Sequence, residues 1–403
     1  MKIRSLLVLV VLGATLAACS SKKKVDQPAE LTNIASPTVR INRLWSASVD
    51  GGGKKLRLGL GLSSSGDRLF AAGHDGDVAA FNLKNGKQLW RAKTDLPLAG
   101  GTGTNGSIVA VGSSDGVVVA LAADNGAERW RANVNGEVLS APAVAENEVI
   151  VRTVSGRLHA LSIEDGKQLW EAEQPVPRLT LRGVSAPVVA RDMALSGFDN
   201  GRVMAVSVAD GQTVWEAAVS PSRGRTELDR LNDIDAAVKV VGEDVFVAGF
   251  QGRAGMLALD SGQVWWAREL SSYRGVDVDD EHLYVSTSGG ELLALSRRSG
   301  GEIWRNESLK FRSLSAPAVV GDTVAVADLE GYVHLFDRAT GTPAGRAKTS
   351  GDRINNAPLA VDGVLYVISD KGQVSALQPL PIGTRNRTPA PAPAEPAEQP
   401  AGG

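Results

Sequence analysis

A sixteen-residue frame recurs along this chain, and no other feature limits the possible folds as sharply. Residues 75–90 read DGDVAAFNLKNGKQLW, in which two apolar runs flank an Asn-Gly turn and a tryptophan closes the second. The frame returns as DGVVVALAADNGAERW (115–130), SGRLHALSIEDGKQLW (155–170) and NGRVMAVSVADGQTVW (200–215). Weaker copies are QGRAGMLALDSGQVWW (251–266), GGELLALSRRSGGEIW (289–304) and EGYVHLFDRATGTPAG (330–345), where Gly345 takes the tryptophan position. An eighth copy, KGQVSALQP from Lys371, stops halfway. Repetition at a fixed period outranks local propensity as a fold signal.

The opening glycines, Gly76, Gly116, Gly156, Gly201, Gly252, Gly290, Gly331 and Gly372, are separated by 40, 40, 45, 51, 38, 41 and 41 residues. Upstream of several lies a second pattern, clearest as SAPAVAENEVIVRTVSG (140–156) and SAPAVVGDTVAVADLEG (315–331). One unit is then four short strands, A (SAPAV), B (EVIVRT), C (RLHALSI) and D (KQLWEA), joined by Gly, Asn and Asp turns that supply positive φ. Four antiparallel strands every forty-odd residues predict an all-β chain, an eight-bladed β-propeller. The last unit lacks strand D. Residues 43–49, RLWSASV, have that pattern and are expected to pair beside 373–378, closing the ring and removing both open edges. Trp45, Trp90, Trp130, Trp170, Trp215, Trp266 and Trp304 are expected to pack between blades, each indole N–H near a partner.

The propeller is assigned to residues 43–380. Residues 1–18 read as a cleaved signal peptide, with a basic start and an apolar stretch too short to span a membrane stably. LAAC at 16–19 resembles the bacterial lipobox, which implies lipidation at Cys19, and Ser20 after it implies sorting to the outer membrane, facing the periplasm. Residues 19–42 read as a lipidated start and flexible tether, and 381–403 as a Pro/Ala-rich disordered tail. A net charge of -2 gives no electrostatic case for nucleic acid.

The spacing A-x-x-x-x-x-G-x-x-x-W resembles the pyrroloquinoline-quinone-type propeller repeat, best known from quinone-dependent dehydrogenases. Those enzymes carry a vicinal cysteine pair and hold calcium or a lanthanide beneath the quinone. This chain has one cysteine, at the lipobox. His74, His159, His282 and His334 lie in separate units without metal-ligand spacing, and His159 and His334 occupy strand C positions suited to packing. The one GxSxG match, GSSDG at 112–116, lies in the turn between two apolar runs of the repeat and not in a strand-to-helix elbow, and there is no Gly-rich phosphate loop after a strand. No catalytic residue, cofactor or metal site is expected.

The spacing breaks twice. The distance from the closing Trp to strand A is ten residues after Trp130 but fifteen after Trp170, and twenty-one after Trp215. These enlarged D-to-A connections, EQPVPRLTLRGVSAP (173–187) and VSPSRGRTELDRLNDIDAAV (219–238), fall on one face in adjacent units. Counted back from the opening glycine, Arg182 and Asp233 share a position, and Leu179 and Leu181 alternate in the segment leading to Arg182. The plain alternative is loop variation with Arg182 ion-paired to Asp233 or Asp235. The functional reading is an exposed apolar pair flanked by an arginine and two carboxylates, a mix found at protein-binding hot spots.

With the lipobox and eight units, the chain resembles the lipoprotein subunits of the bacterial outer-membrane β-barrel assembly machinery. PRLTLRG supplies the family's Leu-x-Leu-Arg segment at Leu179, Leu181 and Arg182, and DRLNDID its Asp-x-Asp segment at Asp233 and Asp235. The resemblance implies a non-enzymatic scaffold docking through these residues on a periplasmic POTRA domain of the central β-barrel assembly subunit. It also leaves room for contact with unfolded outer-membrane protein substrates. The alternative is a cell-envelope propeller binding another protein, or a small quinone-like ligand in its central channel.

Overall fold

The computed structural model describes residues 26–50, 59–177, 179–180, 183–221, 226 and 232–382, and among these every regular element is a β-strand. Cys19, Leu181, Arg182 and the tail from residue 383 lie outside the described residues. The strands form eight four-stranded antiparallel sheets. Seven are continuous in sequence, at 63–93, 103–133, 143–173, 188–218, 239–269, 276–306 and 318–348, and are called blades 1 to 7. Each keeps the order A-B-C-D from the centre of the ring outward. Blade 8 joins Leu359–Val361, Val364–Ile368 and Gln373–Pro381 to the N-terminal strand Val39–Ser48.

Closure follows the expected pairing, with Ser48 opposite Gln373 and Trp45 opposite Ala376, but the ladder continues to Val39 opposite Pro381. A bulge between Arg43 and Trp45 ejects Leu44 from this ladder. The same irregularity lies between strands C and D of blade 1, where Ala80 faces Trp90 and Phe81 faces Gln88, leaving Leu89 out. A bulge adds one unpaired residue and turns the strand. Two neighbouring side chains then point outward before the tryptophan turns in, which is why Leu89 is 44% exposed beside a buried Trp90. The closing strand therefore reproduces strand D in detail, bulge included.

There is no single core. Apolar side chains form eight clusters, one at each junction between successive blades. Both faces of each sheet are covered, so strands B and C are near-continuous buried runs, such as Ile108–Gly112 and Val117–Ala122, rather than alternating ones. The inner strands crowd together; a Cβ at Gly103 would lie 1.9 Å from the carbonyl oxygen of Pro142 in the next blade's approach.

Each tryptophan spans a junction. The Trp90 indole Nε1 donates to Ala123 O at 2.9 Å, and Trp130 to Ile163 O at 2.9 Å, both in the following blade. Trp45, Trp170, Trp215, Trp266 and Trp304 do the same toward Leu83, Val208, Leu259, Arg297 and Arg338. Trp266 is less covered than the other six. Between blades 7 and 8 the tryptophan is absent, and Val39 and Ile41 of the closing strand fill the cluster instead.

The start of the chain departs from a tether running to residue 42. Ala29 N donates to Lys310 O, Arg312 Nη1 donates to Ala29 O, and Arg346 Nη1 donates to Thr32 O. Leu31 packs on the blade 6–7 cluster. The chain is already bound to the outside of the ring at Ala29, because two arginines reach out to its backbone carbonyls.

Candidate partner-binding site

In a propeller, D-to-A connections and B-to-C turns share one face. The two enlarged connections therefore start and end on the same face, and their described residues Gly183, Val184, Asp235 and Ala236 border the mouth of the central channel. Their described inner ends are tied together. Ser185 Oγ donates to Ala236 O at 2.8 Å and accepts from Gly197 N at 3.2 Å. Ile234 N donates to Phe198 O, and Phe250 N donates to Asp233 O at 2.8 Å. The Ile234 side chain plugs the blade 4–5 cluster. A Cβ at Gly197 would lie 2.3 Å from Ile234 Cγ2, so strand B of blade 4 must end in glycine. Gly183 meets the other connection as closely; a Cβ there would lie 2.2 Å from Asp235 Cγ.

The sequence-predicted residues divide. Leu179 is 42% exposed, as a contact residue would be. Asp233 is fully buried and Asp235 largely so, which corrects the picture of two carboxylates flanking an exposed apolar pair. The reason is Ile234: seating an apolar side chain in the junction takes Asp233 out of solvent and leaves Asp235 partly covered, at the edge of the channel mouth.

Beneath the connections these carboxylates meet two residues that the sequence reading passed over. Asp199, from the B-to-C turn of blade 4, joins Asp233 and Asp235, with one oxygen of each within 4.8 Å of the others. Arg152, at the end of strand B of blade 3 (Glu148–Arg152), is fully buried, and its Nη2 lies 3.5 Å from both Asp199 oxygens. At that length the contact is mainly coulombic. Its guanidinium lies 4.5 Å from the centroid of the Phe198 ring, a cation–π distance. Burial pushes the Asp235 carboxyl up to about 7, Asp233 and Asp199 add to the rise, and Arg152 opposes it. Burial also raises Asp199 and pulls Arg152 down. Three carboxylates are a donor set of the kind a hard divalent cation takes, but a guanidinium already faces this group.

A signal for Arg152 existed. The residue four before the opening glycine is Ala72, Gly112, Gly197, Ala248, Ser286, Ala327 or Ile368 in the other seven units. Arginine there breaks the repeat, as does Phe198 one position later, where the others carry nothing apolar and large.

A cavity of about 840 Å³ opens at the channel mouth, bordered by Asp115, Glu137, Asp235, Phe250, Tyr273 and Arg274. Phe250 and Tyr273 meet edge to face at 6.1 Å, and Arg274 lies 4.8 Å over the Tyr273 ring. That arrangement offers no open, flat aromatic floor for a planar ligand. The four histidines sit in four different blades, and His334 is bound by Asp328 and Arg346 in blade 7.

A family model described as "Outer membrane protein assembly factor BamB" matches residues 74–306 and 288–385. The outer membrane protein assembly factor BamB of Pseudomonas aeruginosa is 43% identical over 369 residues, covering 91% of this chain and 97% of that protein. The crystal structure of BamB from Moraxella catarrhalis superposes with a TM-score of 0.78 at 28% identity, covering 84% of this chain and all of that one. The quinohemoprotein alcohol dehydrogenase of Comamonas testosteroni shares the fold alone, with a TM-score of 0.66 at 14% identity over 84% of this chain and 76% of that one.

Proposed function

The chain belongs to the BamB family of outer membrane protein assembly factors, and from that premise we propose that it docks on a periplasmic POTRA domain of the central barrel subunit through its two enlarged connections. It works as a scaffold subunit of outer-membrane protein assembly. In this reading it carries out no chemistry: it holds or orients the periplasmic part of the assembly machine, anchored to the outer membrane by acyl chains on Cys19.

One observation carries the docking site. The two departures from an otherwise regular repeat converge, at Gly183 and Asp235, on one face of adjacent blades, with Leu179 exposed above them. Leu179, Leu181 and Arg182 are assigned the direct contact; Asp233 and Asp235 hold the site from below. A rigid propeller beneath a short apolar segment suits a docking surface, since ordering it on binding costs little. The test is capture of the detergent-solubilised central subunit by purified variants, with circular dichroism of each. Arg182→Glu and Leu181→Glu should lose capture while keeping the β spectrum, and normal capture by Arg182→Glu would refute the site.

A further inference from the structure

We propose that Arg152 is a positioning residue for this docking site: its buried guanidinium balances Asp199, Asp233 and Asp235 and so holds the base of both connections in binding geometry. The inference rests on the docking reading above and extends it to a residue that lies under the surface and contacts no partner.

Three observations point the same way. First, departures from the repeat coincide in space. Arg152 of blade 3, Phe198 of blade 4 and the 233–235 segment before blade 5 all break the pattern of the other units, and they meet around Asp199. Ordinary blade packing does not need them, because the other blades end strand B in small or aliphatic residues.

Second, the charge arrangement is demanding. Asp199 and Asp235 have Arg152 as their opposing charge among the described residues. Arg152 itself is fully buried, and its Nε and Nη1 make no hydrogen bond among the described residues. A buried charge without its counter-charge strongly disfavours the arrangement that holds it. Removing Arg152 would leave Asp199 and Asp235 to repel each other without that opposing charge, and the 233–235 segment would shift against Gly183.

Third, the linkage is mechanical as well as electrostatic. Asp235 abuts Gly183, and Ser185 bonds Ala236, so a shift of the 233–235 segment is transmitted to the residue next to Arg182.

The experiment compares full-length Arg152→Met, Arg152→Lys and the double variant Arg152→Met/Asp199→Asn, with Arg182→Glu as reference. Each is scored by Kd for the detergent-solubilised central subunit and by thermal melting. Arg152→Met should weaken binding by roughly tenfold or more, in the range typical of coupling between adjoining sites. Arg152→Lys, which keeps the charge, should restore most of that loss, and so should removing one carboxylate in the double variant. A residue that only fills space would not be rescued by Asp199→Asn. Should Arg152→Met fail to fold, folding and binding by the double variant still support charge balance; failure of both contradicts it. If Arg182→Glu loses binding and Arg152→Met does not, the inference falls alone. If Arg182→Glu binds normally, the docking reading itself falls.

Discussion

The indole of Trp170, at the outer edge of blade 3, lies directly against Gly211 in the C-to-D turn of blade 4. A Cβ at Gly211 would stand 2.6 Å from the ring, and the indole N–H donates to Val208 O three residues before that glycine. Gly211 also has φ of 72°, in the left-handed region. The two recurring marks of the repeat are thus partners, the tryptophan of one blade clasping the glycine of the next.

Breaking this clasp should cost stability from either side. Trp170→Ala should destabilise by about 3–5 kcal/mol, the range for emptying a buried aromatic site. Gly211→Val should cost about 1–3 kcal/mol from overpacking, before any backbone strain. Chemical denaturation of both variants measures this, and an unchanged midpoint for Trp170→Ala would contradict the packing described.

The one missing tryptophan makes a sharper case. Gly345 occupies its position in blade 7, and the matching glycine of blade 8 is Ile382. Both halves are lost together because the closing strand passes there: a Cβ at Gly345 would lie 2.4 Å from Val39 O, and Thr38 N donates to Ala344 O. Gly345→Trp, which restores the repeat pattern, should therefore lower the melting temperature instead of raising it.

Asp235 predicts a pH dependence. Its carboxyl is held up to about 7 in the folded protein against 3.8 ordinarily. A folded value above the unfolded one means the protonated form favours folding. The contribution is fullest below about pH 4 and is lost as pH rises through about 7, by on the order of a few kcal/mol. Asp235→Asn should remove that slope, so the variant gains on the wild type between pH 5 and pH 8 in denaturant titrations. Parallel curves would contradict the assignment.

Much of this was legible in the chain. Strand count, blade number and the closing role of Trp45 follow from the repeat because each copy carries its own turns and apolar runs. The clasp itself was hidden, since comparing copies in register aligns each tryptophan with tryptophans, not with the glycine of the next unit. The anchoring of Ala29 and Thr32 was also hidden, because the groups used are backbone carbonyls, which leave no mark in a sequence. At the proposed site, the insertions are visible as breaks in the spacing, and Leu179 is exposed there. The burial of Asp233 and Asp235 was missed because their charge suggested solvent, while Ile234 between them decided their depth. Arg152 carried a visible signal, a long charged side chain where other units have small or aliphatic ones.

The most direct test of the docking account is photo-crosslinking in native outer membranes from a probe at Leu179, with a second probe at Asn85. Asn85 lies in the C-to-D turn of blade 1, on the opposite face of the ring. Crosslinking to the central barrel subunit from position 179, and none from position 85, is the predicted result. Crosslinking from 85 with none from 179 would contradict it.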